Sequence, residues 1–563
     1  MNRMLVGLGS LILSSLAVAK SSESKTSLTP REIFRKTAGQ WSGDIFLLPK
    51  KGNYMLETRE FEPRFWHKSH LKGELIPAHP KSTHGVAWDY DLKIPIVFYD
   101  PSGRWINAGQ FEELAVQQDI APTLASILDI PPPAKHGGRV LKSALSSRQS
   151  ATRKPPKVIV TFVQDQMGRQ YLAAHPGRAK FYESLIAKGA HFKNASVAHV
   201  DVETSVGHAA VSTGTWPSEH GVAGNYFFHG GLWRQIAALG IQLGPDASSK
   251  SPNPNFLFSP TLSDVWSIAR KNKPVILAVA PVPRAAIAMG GHGALFKDSA
   301  KTYVTWMNQF GSDGSWTTEE GNYQLPSSFK GQLIEPWVKD IVDKEGRWYG
   351  HLLVKSGEKS KEVDDDLISA TPAAVHQQSA LTLKAIEELK IGIDEETDLL
   401  WLNTKATDFC GHAFGYESDE CGDVLTAADD AAKKIIDLVE KQSGGDFMVV
   451  LTADHGAAPM PELSGAYRID KSKLRSDLNS TFDKRDNNIE AIQVVTSSQI
   501  YVNEGELMAN GFTMQDVAKY LRSYKAKMDL PFNARHEFWL KKGKLRDAVF
   551  FEDVVLKSDL KPM

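Results

Sequence analysis

The stretch Lys157-Val-Ile-Val-Thr-Phe-Val-Gln-Asp165 decides the fold, because a short apolar run of this kind forms a buried strand and an aspartate stands at its end. Similar apolar runs recur at residues 274–279, 398–402 and 447–451, and amphipathic helical stretches such as 427–439 separate them. Strands that alternate with helices predict an α/β fold, in which helices sandwich a mostly parallel sheet. Functional side chains are expected where the strands end.

Candidate functional side chains stand at these strand ends. Asp165 closes the first run, and Asp454-His455-Gly456 follows the last one. Asp408 and His412 would share one face of a helix, although surface pairs with this spacing are common. A buried aspartate and histidine need partners, and metal coordination satisfies both.

Thr204 opens the phrase Thr204-Ser-Val-Gly-His208 and has two interpretations. It can be an ordinary helix N-cap, or it can be a nucleophile. The roles can coexist, since a helix N-terminus also favours an approaching phosphate. With the carboxylates and imidazoles, this phrase supplies the parts of a two-metal phosphoryl-transfer site. Zinc suits such ligands best, and manganese or calcium is the alternative.

Size and composition fit a large globular enzyme. The chain has 563 residues, of which 42% are hydrophobic and 23% are charged, with a formal net charge of -1. This balance argues against binding of nucleic acid or of anionic membrane through bulk charge.

The N-terminus predicts export to the periplasm or the medium. The apolar part, residues 5–16, is too short to span a bilayer and ends in Ala17-Val-Ala19, a signal peptidase pattern. Residues 1–19 are therefore predicted to be a removed signal peptide, with an uncleaved anchor as the alternative. Cys410 and Cys421 lie on either side of His412. A disulfide is favoured over two free thiols in an oxidising compartment.

The order and spacing of these motifs resembles the alkaline phosphatase superfamily, especially its threonine-nucleophile bacterial alkaline phosphatases and nucleotide pyrophosphatase/phosphodiesterases. The resemblance implies two metal sites. One would be formed by Asp165, Thr204, Asp454 and His455. The other would be formed by Asp408, His412 and a late histidine in a His-Gly phrase that is followed by an aspartate and a proline. The resemblance also implies that Asn225 contacts a phosphoryl oxygen.

The late His-Gly phrase is in an unexpected place. After His455 the only histidine is His536, which no glycine follows, whereas the phrase appears near the N-terminus as His84-Gly85. A strand at 94–99 and a helix at 119–128, which usually ends such chains, come after it. We infer a circular permutation, which is acceptable where chain ends lie close together.

In this interpretation the catalytic domain is divided in sequence. Residues 25–142 are its displaced C-terminal portion, 143–156 form a polar linker, and 157–563 are its main part with an inserted cap at about 294–370. The alternative is an independent N-terminal domain, which would leave the second metal one ligand short. The tryptophans of the cap are expected to form its small core, although they could line a substrate entrance instead.

The substrate-binding loop departs from the family. The threonine-type monoesterases carry a Lys-x-Arg phrase, and the corresponding place keeps Arg284 but has Val282 instead of the lysine. Loss of this cation should weaken binding of a dianionic monoester more than binding of a monoanionic diester.

The sequence thus predicts an exported two-metal phosphoester hydrolase that binds a small phosphoester and forms a phosphothreonine at Thr204. A phosphodiesterase or nucleotide pyrophosphatase of the same superfamily is one alternative, and a metal-binding pseudoenzyme is another. A sulfatase is disfavoured, because its Cys/Ser-x-Pro-x-Arg phrase is absent. A phosphoethanolamine-type transferase is disfavoured because no membrane span is expected after signal removal.

Overall fold

The structure is a computed structural model. It describes residues 25–56, 81–146, 154–229, 234–237, 239, 252–293, 301–308, 313–354, 365–460, 464, 466, 468–525 and 549–560. The predicted signal peptide, the middle of the predicted linker and His536 lie outside these residues.

The strands, numbered in chain order, have the following bounds: β1 Ile45–Pro49, β2 Tyr54–Leu56, β3 Ile96–Tyr99, β4 Gly109–Val116, β5 Val158–Gln164, β6 Ala190–Ser196, β7 Tyr226–His229, β8 Arg234–Ala237, β9 Ile276–Val279, β10 Thr302–Met307, β11 Trp316–Thr317, β12 Arg347–Trp348, β13 His351–Leu352, β14 Asp398–Thr404, β15 Phe447–Ala453, β16 Arg468–Asp470, β17 Ile492–Val495, β18 Gln499–Val502 and β19 Phe551–Leu556.

The α-helices have the following bounds: Pro30–Thr37, Asp89–Leu92, Ile120–Ile127, Arg169–Ala174, Lys180–Lys188, Thr204–Thr213, Pro217–His220, Leu262–Ala269, Pro283–Gly290, Glu335–Ile341, Pro372–Glu388, Ala406–Phe414, Asp419–Ser443, Lys471–Phe482, Glu504–Ala509 and Met514–Arg522.

The largest sheet has nine strands in the order β11-β10-β9-β14-β5-β15-β3-β6-β4. The strands from β10 to β15 in this order run parallel to one another. Strand β11 is antiparallel to β10, and β3 is antiparallel to both of its neighbours. Every residue of β5, β14 and β15 is buried, as expected for central strands covered on both faces. Helices pack on this sheet, among them Asp419–Ser443 and Pro283–Gly290. The predicted α/β fold with a mostly parallel sheet is confirmed.

The segment before the polar linker is part of this sheet. Strand β3 lies between β15 and β6, and β4 pairs in parallel with β6 at the edge. The helix Ile120–Ile127 is apolar and almost wholly buried, and it packs against the helix Thr204–Thr213. Residues 94–128 therefore share the core of the later segment.

A second, four-stranded sheet has the order β17-β18-β1-β19, and its strand pairs are antiparallel. Strand β1, from the beginning of the chain, is inserted between β18 and β19, from its end. A separate apolar cluster, which includes Leu474, Leu478 and Leu521, packs with these strands. The sequence did not predict this sheet, because its strands are short and β1 pairs with strands that lie about 450 or more positions away in the chain.

The interval 294–370, for which an inserted cap is predicted, contributes β10 and β11 to the edge of the large sheet. Trp306, Trp316 and Trp348 are buried within the main apolar cluster. The Trp316 indole donates a hydrogen bond to Gln377 Oε1 at 3.2 Å, so this tryptophan is tied to the neighbouring helix rather than to an entrance. Among the described residues, no helix is long and apolar enough to span a membrane.

Candidate functional site

Two predicted site residues, and one lysine that the sequence did not predict, stand at the ends of three adjacent parallel strands. Asp165 follows β5, Asp454 follows β15, and Lys405 follows β14. Gln164 is in register with both Thr404 and Ala453, so the three following residues stand side by side. All three are buried. The site therefore lies at the C-terminal edge of the sheet, where the α/β fold places functional groups.

Thr204 is the first residue of its helix, and Glu203 occupies the N-cap position. The interpretation of Thr204 as an N-cap is therefore wrong, since its backbone is already helical. Gly207, one turn on, lies against Asp454: a Cβ at this position would be 2.7 Å from the Asp454 Cβ. The helix thus approaches the strand end closely enough to bring Thr204 to the carboxylates.

The candidate ligands form two overlapping groups. His84, Asp408 and His455 make up one group, and Asp165, Asp454 and His455 make up the other; within each group the ligand atoms lie within 4.8 Å of one another. His412 adjoins the first group, since its Nε2 is 3.2 Å from Asp408 Oδ1. Asp408 and His412 share one face of the helix Ala406–Phe414, as their spacing predicts.

The three imidazoles of the site are oriented in the same way, because each Nδ1 contacts a backbone carbonyl oxygen. The contacts are His84 with Val202 at 2.7 Å, His412 with Ser82 at 2.8 Å and His455 with Gly456 at 2.9 Å. A carbonyl oxygen only accepts hydrogen bonds, so Nδ1 of a neutral ring carries the proton and Nε2 keeps its lone pair. Histidines that ligate metals are commonly held in this way.

Each Nε2 faces a carboxylate oxygen. Nε2 of His84 is 3.4 Å from Asp408 Oδ1, and Nε2 of His455 is 3.3 Å from Asp454 Oδ2. His455 Nε2 and Asp454 Oδ2 are buried and have no hydrogen-bond partner in the described part of the chain. Two acceptors that face each other in a buried site need a proton or a metal cation between them. The donor set of imidazole nitrogens and carboxylate oxygens fits a divalent ion such as zinc.

Burial and neighbouring charges shift the pKa values of three candidate ligands. Burial and the charge of Asp165 raise the pKa of Asp454 well above its usual range. Burial and the charge of His84 lower the pKa of His455 well below its usual range. For Asp408, burial raises the pKa, but the charges of His412 and Lys405 more than offset it, so the pKa is lowered. The carboxylates are therefore crowded, and bound positive charge would stabilise them.

Two amide side chains that the sequence did not predict orient the ligands. Gln166, in the left-handed region with φ 61°, donates through its backbone N–H to Asp454 Oδ1 and through Nε2 to Asp408 Oδ1. Asn403 Nδ2 donates to Asp165 Oδ2 at 3.1 Å and lies 3.0 Å from His208 Nε2. One glutamine therefore connects the two ligand groups.

His208 supports Thr204 rather than joining the candidate metal ligands. Its Nδ1 contacts the Thr204 carbonyl oxygen at 2.8 Å, and its Nε2 faces the amide of Asn403. Burial lowers the pKa of His208 to about 4. The neutral ring thus links the first turn of the helix to β14.

Asn225 lies beside the start of the Thr204 helix, and Arg284 lies on a helix that packs against it. Asn225 Oδ1 accepts from the Ser205 backbone N–H at 2.9 Å, and the Asn225 N–H donates to Glu203 Oε2 at 2.7 Å. With Oδ1 engaged, the Asn225 Nδ2 group is the donor available to a ligand. Arg284 lies on the helix Pro283–Gly290, which packs against the Thr204 helix, and its buried Nε has no hydrogen-bond partner among the described residues.

The second sheet supports the loop before Thr204. Asp201, with φ 44°, accepts hydrogen bonds from the Thr496 hydroxyl, the Ser498 N–H and the Gln499 side chain. Ser498 Oγ also donates to the carbonyl oxygen of Gly85, next to His84. The turn between β17 and β18 therefore fixes the loop that precedes Thr204 and the loop that carries His84.

A disulfide joins Cys410 and Cys421, whose Cα atoms are 5.5 Å apart, and it confirms the predicted bond. Cys410 lies on the helix that carries Asp408 and His412, and Cys421 lies on the following helix. The bond therefore constrains the connection directly after the ligand helix.

Comparison with known proteins identifies the family. The family model for type I phosphodiesterase / nucleotide pyrophosphatase matches residues 159–552. Alkaline phosphatase PafA of Elizabethkingia meningoseptica is 25% identical over 415 residues, which cover 68% of this chain and 76% of that protein. Alkaline phosphatase PhoK of Sphingomonas sp is 27% identical over 409 residues, covering 67% of this chain and 70% of PhoK.

The fold agrees with these relatives. The crystal structure of wild-type alkaline phosphatase PafA superposes with a TM-score of 0.51 at 22% identity, covering 66% of this chain and 77% of that chain. The matched region contains the Thr204 helix and every predicted ligand except His84. The chain belongs to the type I phosphodiesterase / nucleotide pyrophosphatase family of the alkaline phosphatase superfamily and is a phosphoric ester hydrolase.

Proposed function

We propose that this protein is an exported hydrolase of the alkaline phosphatase type that uses two divalent metal ions, most consistent with zinc, and a phosphothreonine intermediate at Thr204. One observation carries the proposal. The Thr204 hydroxyl lies at the beginning of a helix and close to the carboxylates of Asp165 and Asp408, because the ammonium group of Lys405 contacts all three side chains. Three imidazoles with Nε2 turned inward complete the surroundings of these carboxylates.

The proposed ligand sets follow from these contacts. One ion would be held by Asp165, Thr204, Asp454 and His455, and the other by Asp408, His412 and His84. When bound, such ions increase the acidity of coordinated oxygens and stabilise charge on the leaving oxygen. The buried atoms His455 Nε2 and Asp454 Oδ2, which have no hydrogen-bond partner among the described residues, support this assignment.

The protein side chains then have distinct tasks. Thr204 Oγ1 forms a bond to phosphorus while the bond from phosphorus to the ester oxygen breaks, and the ester oxygen leaves as an alcohol. Water next attacks phosphorus, and Thr204 Oγ1 departs and regains its proton. Asn225 Nδ2 and the Arg284 guanidinium would hold phosphoryl oxygens during both steps. The helix N-terminus at Thr204 adds a favourable dipole.

Circular permutation is part of the proposal. The pairing of β3 with β15 and the position of His84 beside Asp408 support it. The segment 25–142 would be the displaced C-terminal portion, 143–156 its linker, and 157–563 the main part with a cap at about 294–370. Export is supported by the signal-like residues 1–19 and by the disulfide.

A phosphodiesterase is the second candidate, because Val282 stands where the monoesterases carry a lysine. Val282 is buried at the N-cap of the helix Pro283–Gly290 and brings no charge to the site. A metal-binding pseudoenzyme would share this geometry without turnover.

Thr204→Ala tests the proposal directly. We expect the variant to lose turnover of p-nitrophenyl phosphate and bis(p-nitrophenyl) phosphate while it keeps most of its metal, because only one ligand atom is removed. Metal content by mass spectrometry and both rates should be measured on the same preparation. Rates within about tenfold of the unmodified enzyme would remove Thr204 from the mechanism. An unmodified, fully metallated protein without turnover would favour the pseudoenzyme.

A further inference from the structure

Lys405 is the one charged side chain that touches the Thr204 hydroxyl in the described part of the chain. Its ammonium donates to Thr204 Oγ1 at 2.8 Å and to Asp165 Oδ1 at 2.9 Å, and it lies 2.6 Å from Asp408 Oδ2. These partners use all three ammonium donors. Lys405 is 1% exposed and follows β14 directly, so the backbone fixes its position at the strand end.

A purely structural ion pair does not explain this arrangement well. Burying a lysine is costly, and a carboxylate partner would be sufficient to offset the charge. Here the ammonium instead spans one carboxylate from each ligand group and also reaches a neutral hydroxyl. A cation bound to a hydroxyl stabilises that oxygen most when negative charge develops on it. The contact with Thr204 therefore gains strength during attack on phosphorus.

We propose that Lys405 is a further catalytic residue, which stabilises the attacking Thr204 oxygen and, through its charge rather than a direct contact with substrate, compensates for the cation that the Val282 position lacks. The site would then be selective for phosphate monoesters, because a dianionic phosphoryl group gains more from an added positive charge than a monoanionic diester does. This inference rests on the proposed role of Thr204 as nucleophile.

The step balances without a change at Lys405. Thr204 Oγ1 bonds to phosphorus, the phosphorus bond to the leaving oxygen breaks, and that oxygen takes the electron pair. The hydroxyl proton of Thr204 is lost to solvent, and the departing alcohol takes up a proton. Lys405 stays charged throughout and acts as a hydrogen-bond donor.

The test compares a monoester and a diester that have the same leaving group, p-nitrophenyl phosphate and bis(p-nitrophenyl) phosphate. Lys405→Met, which keeps the length of the side chain without its charge, should lower kcat/KM for the monoester roughly 100-fold and for the diester about tenfold or less. Lys433→Met, an exposed lysine paired with Asp437, is the control and should change neither rate. Equal losses on both substrates would overturn the proposed selectivity.

A lysine introduced at position 282 gives a second test. Val282→Lys should change the monoester to diester ratio little in the unmodified enzyme, because Lys405 already supplies the charge. In the Lys405→Met background the same substitution should restore much of the ratio. A large rise in the unmodified enzyme, without rescue in the double variant, would contradict the role of Lys405.

Binding measurements distinguish an effect of the Lys405 charge on phosphate from a structural effect of Lys405 on the metal ligands. Calorimetry with inorganic phosphate should show weaker binding to Lys405→Met by at least about tenfold, with metal content unchanged. Loss of metal together with weaker binding would mean that Lys405 only supports the ligands, and would overturn the proposal. If Lys405→Met does not melt cooperatively, Lys405→Arg keeps the charge and should keep the substrate ratio within about threefold. A collapsed ratio in that variant would also overturn the proposal.

The two proposals can fail separately. An active Thr204→Ala variant would refute the nucleophile and the inference together. An inactive Thr204→Ala variant with an unchanged substrate ratio in Lys405→Met would refute only the role of Lys405.

Discussion

The imidazole ring of His84 stacks on that of His455, with 3.7 Å between the ring centroids. His84 precedes β3, and His455 follows β15 after Asp454. The two histidines meet because β3 pairs with β15 in the centre of the large sheet. A residue from the beginning of the chain is thus placed among candidate metal ligands from its second half.

This position predicts that His84→Ala lowers metal content and activity together. The imidazole would be one of three protein ligands in its proposed ion site, and losing one weakens binding strongly. Metal content and phosphate release should be measured after dialysis against a limiting zinc buffer. His191→Ala, which removes a half-buried histidine paired with Gln110, should change neither quantity. His536→Ala should also have little effect, and metal loss in that variant instead of His84→Ala would contradict the ligand assignment.

A substitution at Gly411 tests whether Gln166 orients the candidate metal ligands. A Cβ at Gly411 would lie 1.9 Å from Gln166 Oε1, and Gln166 Nε2 donates to Asp408 Oδ1. Because the obstructing atom is the end of a flexible side chain, Gly411→Ala should fold but displace the glutamine. We expect metal affinity to fall roughly 10- to 100-fold, as for loss of other groups that orient metal ligands.

Competition with a zinc chelator measures this change, and circular dichroism checks the fold. Gly109→Ala is the control, because a Cβ there makes only ordinary contacts, the nearest being 3.6 Å from Phe111. Unchanged metal affinity in Gly411→Ala would show that the bond from Gln166 to Asp408 does not orient the ligand.

The proposed permutation predicts that a chain beginning at Lys157 is inactive and poorly folded. It would lack β3, β4 and the helix Ile120–Ile127 from the core, as well as His84. Attaching residues 25–142 behind Met563 through a flexible linker should restore both folding and metal binding. The hydrogen bond from the Lys557 N–H to the Asp44 carbonyl oxygen, at 2.8 Å, shows that the two segments already adjoin.

Thermal melting and metal content of both rearranged chains provide the measurement. A stable and fully metallated protein that begins at Lys157 would contradict the permutation and make the N-terminal segment a separate domain.

Much of the site could be predicted from local pattern. Asp165 and Asp454 directly follow long apolar runs, and a buried strand that ends in an aspartate carries a recognisable signal. The shared helix face of Asp408 and His412 follows from their spacing alone. These features depend on local sequence, so Asp165 and Asp454 do follow strands and Asp408 and His412 do share a helix.

Other parts depend on contacts that the sequence does not reveal. Gln166 contacts Asp408 from a backbone conformation with φ 61°, which the sequence does not reveal. Asn403 lies inside a buried apolar strand, and no sequence motif marks it as a residue of the site. Lys405 did carry a signal, since a lysine directly after a buried strand must find partners. The four-stranded sheet was missed because β1 pairs with strands from the other end of the chain.

The central claim is that Thr204 forms a covalent bond to phosphorus, and trapping that intermediate tests it most directly. The metallated enzyme should be mixed with p-nitrophenyl phosphate, quenched in acid within one turnover and digested for peptide mass spectrometry. We predict phosphate on Thr204, retained in Ser205→Ala and absent in Thr204→Ala. Continued product release with no phosphate on Thr204, or with phosphate on a different residue, would contradict the account.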